Sequence, residues 1–262
     1  MKLVIIILST SLLVLPFGWQ HNTIALTGSA IPDQSRIKGV KGDSSQSIRI
    51  INASSLKRLP AVVRDLSAAL NESSFQEGLL LGKNGFAIYL YDVDCNSFEN
   101  SAAVQYKISD TIYHLKLNRF NQQATDKGLA ATLIHEIMHC VLLDLYKRAK
   151  QKEEKALTGI IRFGLDKNDT SGFFNNDFFV LTNRGNDGQH ELIYQLLYPR
   201  MVSLLERFAK IHKETFLDHR DAEHLMWSGL QKTSAYKKLG DEEKRDIELA
   251  ILGAKGIKTE QD

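Results

Sequence analysis

Cysteine is nearly missing from this chain: Cys95 and Cys140 are the only two in 262 residues. Two cysteines cannot build a disulfide framework. They form one bridge or stay as buried thiols, and the sequence leaves both open. Proline occurs only four times, so there is no proline-rich spacer or polyproline ligand. An excess of one charge is also lacking, since 33 Lys and Arg stand against 31 Asp and Glu for a net +2. That balance argues against the basic footprint of a nucleic-acid binder. The one mild basic cluster, Lys147-Arg148-Ala149-Lys150-Gln151-Lys152, reads as a solvated helix end. No internal repeat is visible. What remains is an ordinary globular composition, 43% hydrophobic and 24% charged, long enough for one substantial core or two small ones.

The first twenty residues stand apart. Met1-Lys2 is a short basic start, Leu3 to Leu15 is almost wholly apolar, and Pro16 and Gly18 break the run. This is the pattern of a secretory signal peptide, expected over residues 1–25, with Ala25 and Ala30 as alternative cleavage points. The run falls short of the ~20 residues that span a bilayer. An uncleaved anchor, and with it a membrane-anchored interaction protein, is therefore the second reading. The expected location is secreted, periplasmic or cell-envelope, with no stable membrane insertion after signal removal. Residues 26–50, rich in Ser, Gly, Gln and Asp, read as a linker or weakly ordered arm. A main domain is expected over 51–240 and a charged helical tail over 241–262.

Within the main domain the periodicities suggest a mixture of helices and strands. Leu59, Val62, Val63, Leu66 and Leu70 have helical spacing. Phe86 to Tyr91 is apolar on both faces, as in a buried strand. Tyr113 to Asn118 alternates, with Tyr113, Leu115 and Leu117 inward, and reads as a half-buried strand at a sheet edge. Thr125 or Asp126 caps a helix running to about Lys150. Residues 160–188 form an irregular aromatic excursion with a hairpin through Phe178-Phe179-Val180-Leu181. A second long helix follows from His190 to about Lys213, with shorter ones around Ala222–Gly229 and Asp241–Gly253.

The chemistry lies on the first long helix. His135-Glu136-Ile137-Met138-His139 is an H-E-x-x-H sequence. Positions i and i+4 share a helix face, so both imidazoles converge on one ion while the glutamate reaches a water beside it. Leu133, Ile134, Ile137, Met138, Val141 and Leu145 fill most of the remaining circumference, which marks a buried helix. Buried histidines need strong partners. Metal ligation supplies them; hydrogen-bonded core histidines are the competing structural explanation. Cys140 and Asp144 project away from the metal side and read as structural.

A catalytic zinc commonly takes three protein ligands. The short extension H-E-x-x-H-x-x-G-x-x-H is absent, because Leu142 and Leu145 occupy its Gly and His positions. His190 is the first choice for the third ligand: it starts the apolar stripe Ile193, Leu197, Met201, Leu204, Leu205 and Phe208, which should pack on the H-E-x-x-H helix. Glu191, at the edge of that stripe, is the alternative. His212 shares the stripe but lies too far along the helix. His219, Glu223 and His224 read as surface residues.

Ala131-Thr132-Leu133-Ile134-His135-Glu136-Ile137-Met138-His139 resembles the active-site helix of the zincin metallopeptidases. The fuller run resembles bacterial SprT-like metallopeptidases, through Ala124-Thr125-Asp126, Leu129 to Glu136, Gln189-His190-Glu191, Trp227-Ser228-Gly229-Leu230 and Thr233-Ser234-Ala235-Tyr236. It covers about residues 80–240, and H-E-x-x-H is its one highly specific motif. The resemblance implies an α+β, zincin-like fold: a small mixed or antiparallel sheet packed on a buried H-E-x-x-H helix, then a mostly helical C-terminal part. It also implies that a downstream residue completes the site.

The expected activity is zinc-dependent hydrolysis of peptide bonds in a peptide or protein substrate. Zn2+ would sit on His135, His139 and His190, and Glu136 would act as general base on the zinc-bound water. Tyr194 or Tyr198, near the His190 face, is a possible oxyanion donor. The 113–118 strand would receive an extended peptide, and the aromatic excursion would cover the cleft. The alternative from another class is a non-catalytic secreted binding or scaffold protein whose zinc site is structural or vestigial.

Overall fold

A computed structural model describes residues 48–72, 75, 81, 85–93, 102–105, 112–118, 122–150, 186–213 and 217–257. The signal segment, Cys95, the 178–181 hairpin and nearly all of the aromatic excursion fall outside these residues. The expectation of an α+β class is met: four strands form a single mixed sheet and the remainder is mostly helical.

Strand β1 (Ile48–Asn52) is parallel to β2 (Phe86–Val93), and β2 is parallel to β4 (Ile112–Asn118). Strand β3 (Ala102–Gln105) runs antiparallel to β4, giving the order β1-β2-β4-β3. Two expectations change here. The linker placed over 26–50 gives way to a strand at Ile48. The 113–118 strand is not at an edge, because β2 and β3 flank it on both sides. Its alternation does hold: Tyr113, Leu115 and Leu117 are buried, while His114 and Lys116 are half-buried. On the core face these residues join Ile48, Phe86, Ile88 and Leu90. On the other face the rings of Tyr89, Tyr91 and His114 touch one another.

Helix α1 (Leu59–Leu70) carries its proline in the first turn, where no N–H is missed. It packs on β1 and on both long helices. Helix α2 (Asp126–Lys150) is capped by Thr125, whose Oγ1 accepts a hydrogen bond from Gly128 N at 3.1 Å. Its span Asp126–Leu145 is long and apolar enough to cross a membrane, but 94% of that stretch is buried inside the protein. Its hydrophobicity is that of a core helix.

Helix α3 (Asn186–His212) lies against α2 through the expected stripe, with Ile193, Leu197, Met201, Leu204, Leu205 and Phe208 all buried. Helices α4 (His219–Met226), α5 (Ser234–Lys237) and α6 (Asp241–Ala254) follow. Asp218 caps α4 through a bond from Asp221 N.

Residues 241–254 are helical, as expected of the charged tail, and they also belong to the compact unit spanning Asp43–Asp262. Ile247, Ile251 and Ala254 are buried against the neighbouring helices. Thr125 N donates to Ala254 O at 2.9 Å, which fixes the end of α6 to the start of α2.

Candidate metal centre

Helix α2 buries almost its whole circumference, so the two histidines of its central turns are carried inside with it. His135 and His139 are both buried, and their Nε2 atoms stand 3.1 Å apart. His190 enters from the first turns of α3. Its ring centroid lies 5.1 Å from that of His135 and 5.2 Å from that of His139. As a residue His190 is half-buried, but its Nδ1 is sealed from solvent. One nitrogen from each of the three rings lies within 4.8 Å of the others. The three histidines are thus a group that could hold a metal ion.

The His135–His139 spacing and the charge state of His135 both fit a tetrahedral metal. With metal–nitrogen bonds of ~2.0–2.1 Å, tetrahedral ligands are held about 3.3 Å apart, close to the His135–His139 separation. Burial, with added repulsion from His139 and His190, pushes the His135 imidazole well below its usual range. It is therefore held neutral, as a ligand must be. Imidazole nitrogens suit zinc and its transition-metal neighbours better than calcium or magnesium.

Glu136 lies between the two α2 histidines in sequence and is only half-buried as a residue. Burial of its carboxyl pushes its pKa up to about 8. A cation on the histidines would act in the opposite sense, favouring the carboxylate. Cys140 is a free, buried thiol. Burial first, and then the charges of Glu136 and Asp144, raise its pKa well above the ordinary thiol value, so it offers no thiolate. Asp144 accepts from Arg148 Nε at 2.8 Å, a largely buried i,i+4 ion pair.

The other named residues lie elsewhere or are engaged. The Glu191 carboxylate accepts hydrogen bonds from Ser234 N and from Ser234 Oγ, so it holds the start of α5. Tyr198 Oη donates to Glu223 O at 2.8 Å, which commits that hydroxyl. Tyr194 stacks on Trp227, with 4.9 Å between centroids and 21° between planes.

His212 is remote from the cluster: its ring bridges Asp65, at 2.7 Å, and Asp126, at 3.0 Å. His219 is exposed, beside Glu206 and Glu223. His224 departs from the surface position expected of it. It is buried, 2.9 Å from Glu243 on α6, because α6 covers the face of α4 that the sequence left open.

One neighbour of the centre was given no role by sequence reasoning. The turn after α4 brings Gly229 against the His135 ring. Its only sequence signal is a glycine one residue past Trp227-Ser228, where a positive φ of +84° is needed. No family model, curated protein or solved structure matches this chain.

Proposed function

We propose that this chain is a secreted or envelope-associated, zinc-dependent metallopeptidase with a zincin-like arrangement of sheet and H-E-x-x-H helix. The observation that carries the reading is the convergence of His190, from a second helix, on the His135–His139 pair. Hydrogen-bonded core histidines would account for two of the rings. A third imidazole converging on the same pair, with its Nδ1 sealed from solvent, is what a shared cation would require. Secretion rests on the apolar run Leu3–Leu15 alone.

In this reading His135, His139 and His190 would hold the ion. When bound, zinc supplies Lewis acidity, lowering the pKa of a water beside it toward ~7 and polarising a carbonyl. Glu136 takes the proton of the attacking water and returns it to the leaving amine. Tyr194 is the oxyanion donor to test, since Tyr198 is held by Glu223 O. An extended substrate would add to β3, the antiparallel edge strand among the described residues, which lies against α2. The interior strand β4 cannot play that part.

The test measures bound zinc and cleavage of an unstructured protein substrate for the chain without residues 1–25 and for Glu136→Ala. Zinc retained with cleavage abolished in the variant is the expected outcome. A wild-type chain that neither carries zinc nor takes it up overturns the reading. Zinc binding without cleavage leaves the scaffold alternative in its place.

A further inference from the structure

We propose that Gly229 is the positioning residue for His135, fixing the ring by backbone contact rather than through a hydrogen bond; this rests on the metal-site reading. The Nε2 atoms of His135 and His139 face each other, so Nδ1 is the remote nitrogen of His135. Metal-bound imidazoles almost always give that N–H to a carboxylate, carbonyl or water, which fixes tautomer and orientation. His135 Nδ1 is buried and has no hydrogen-bond partner among the described residues. Among the described residues the ring is held by packing contact.

The turn after α4 supplies that contact. A Cβ built on Gly229 would lie 2.6 Å from His135 Cε1, 2.9 Å from Nε2 and 3.1 Å from Nδ1. Any side chain there forces the ring, with its metal-facing nitrogen, and the turn apart.

The turn is itself well held. Leu230 N donates to Trp227 O at 2.8 Å, and Gly229 N donates to Gln231 Oε1 at 2.9 Å. Trp227 packs on Tyr194 and Tyr198, both from the helix that carries His190. The turn therefore braces the ligand on α2 while seated on the helix of the proposed third ligand. Gly229 is exposed, so its missing side chain spares His135 without filling any core.

The experiment is a zinc competition titration together with chelated-protein unfolding, on wild type, Gly229→Ala, His135→Ala and the double variant. Gly240→Ala is the control, because nothing lies within 4 Å of a Cβ at that position. Gly229→Ala should weaken zinc binding about 10–100-fold, the usual cost of losing an outer support of a ligand. Gly240→Ala should not.

Part of the destabilisation caused by Gly229→Ala should vanish in the His135→Ala background, where no ring remains to be struck. Failure of Gly229→Ala to fold beside His135, with recovery beside Ala, supports the proposal equally. An identical loss in both backgrounds means that φ alone requires the glycine, and overturns it. Wild-type affinity in Gly229→Ala overturns the positioning role alone. A wild type that binds no zinc fails the metal reading and the inference together.

Discussion

His135 and His190, carried by different helices, bring their ring centroids to 5.1 Å. On an ion held by three imidazoles, deleting one costs more than deleting an outer support. His190→Ala should therefore lower zinc affinity by more than ~10–100-fold. Glu191→Ala should leave it unchanged, since that carboxylate is occupied by Ser234. Competition with a chromogenic chelator measures both; full zinc occupancy in His190→Ala would refute the ligand assignment.

Glu136 should be separable from metal binding. Glu136→Gln keeps the volume and loses the base, so peptide cleavage should fall roughly 10²–10⁴-fold while zinc stoichiometry stays at the wild-type level. Elemental analysis beside a turnover assay reads the two effects apart.

The His212 bridge predicts a pH effect on stability. Burial alone would lower its pKa, but the hydrogen bonds to Asp65 and Asp126 outweigh burial and leave it raised. A folded value above the unfolded one means that the contribution is fully present below about pH 6.5 and is lost as pH rises through the folded value. His212→Gln should remove that fall. Urea unfolding at a series of pH values, with chelator present, checks it. Equal slopes for variant and wild type above pH 6.5 would show that His212 contributes nothing there.

The i,i+4 pair Asp144–Arg148 on α2 is largely buried, with both residues 8% exposed. Asp144→Asn takes away the carboxylate that accepts from Arg148 Nε in a region of low polarity. It should destabilise the protein by about 3–5 kcal/mol. Replacing both residues by leucine should recover much of that loss, because neither charge then has to be buried. Unfolding midpoints of the three proteins decide the matter.

Helices were the most legible part of the sequence, and for a physical reason. The stripe from Ile193 to Phe208 and the nearly all-apolar circumference of α2 are periodic signals within one segment. His190 was legible for the same reason, as the first member of that stripe. Relations between segments were not. The alternation of β4 shows which face is buried but is silent on whether one neighbour or two pair with it. Strand β1 is five residues long beside a polar stretch, and its register comes from β2. His224 looks like a surface residue until α6 folds over it. Gly229 figures in the sequence only within the Trp227–Leu230 likeness and without a role, because its importance is a distance to a ring far away in the chain.

Helix α3 carries an imidazole contact at each end: His190 meets α2 in the histidine cluster, and His212 meets Asp126 at the start of α2 and Asp65 of α1. With the proposed ion in the cluster, the two fasteners would answer to different solution variables, one to metal supply and the other to acidity. Chelation at mildly acid pH thus unpins one end of the helix and leaves the other latched. Amide exchange along α3 should then run as a gradient, fastest in the turns around His190 and slowest toward His212. Raising the pH after chelation releases the second latch and levels that gradient.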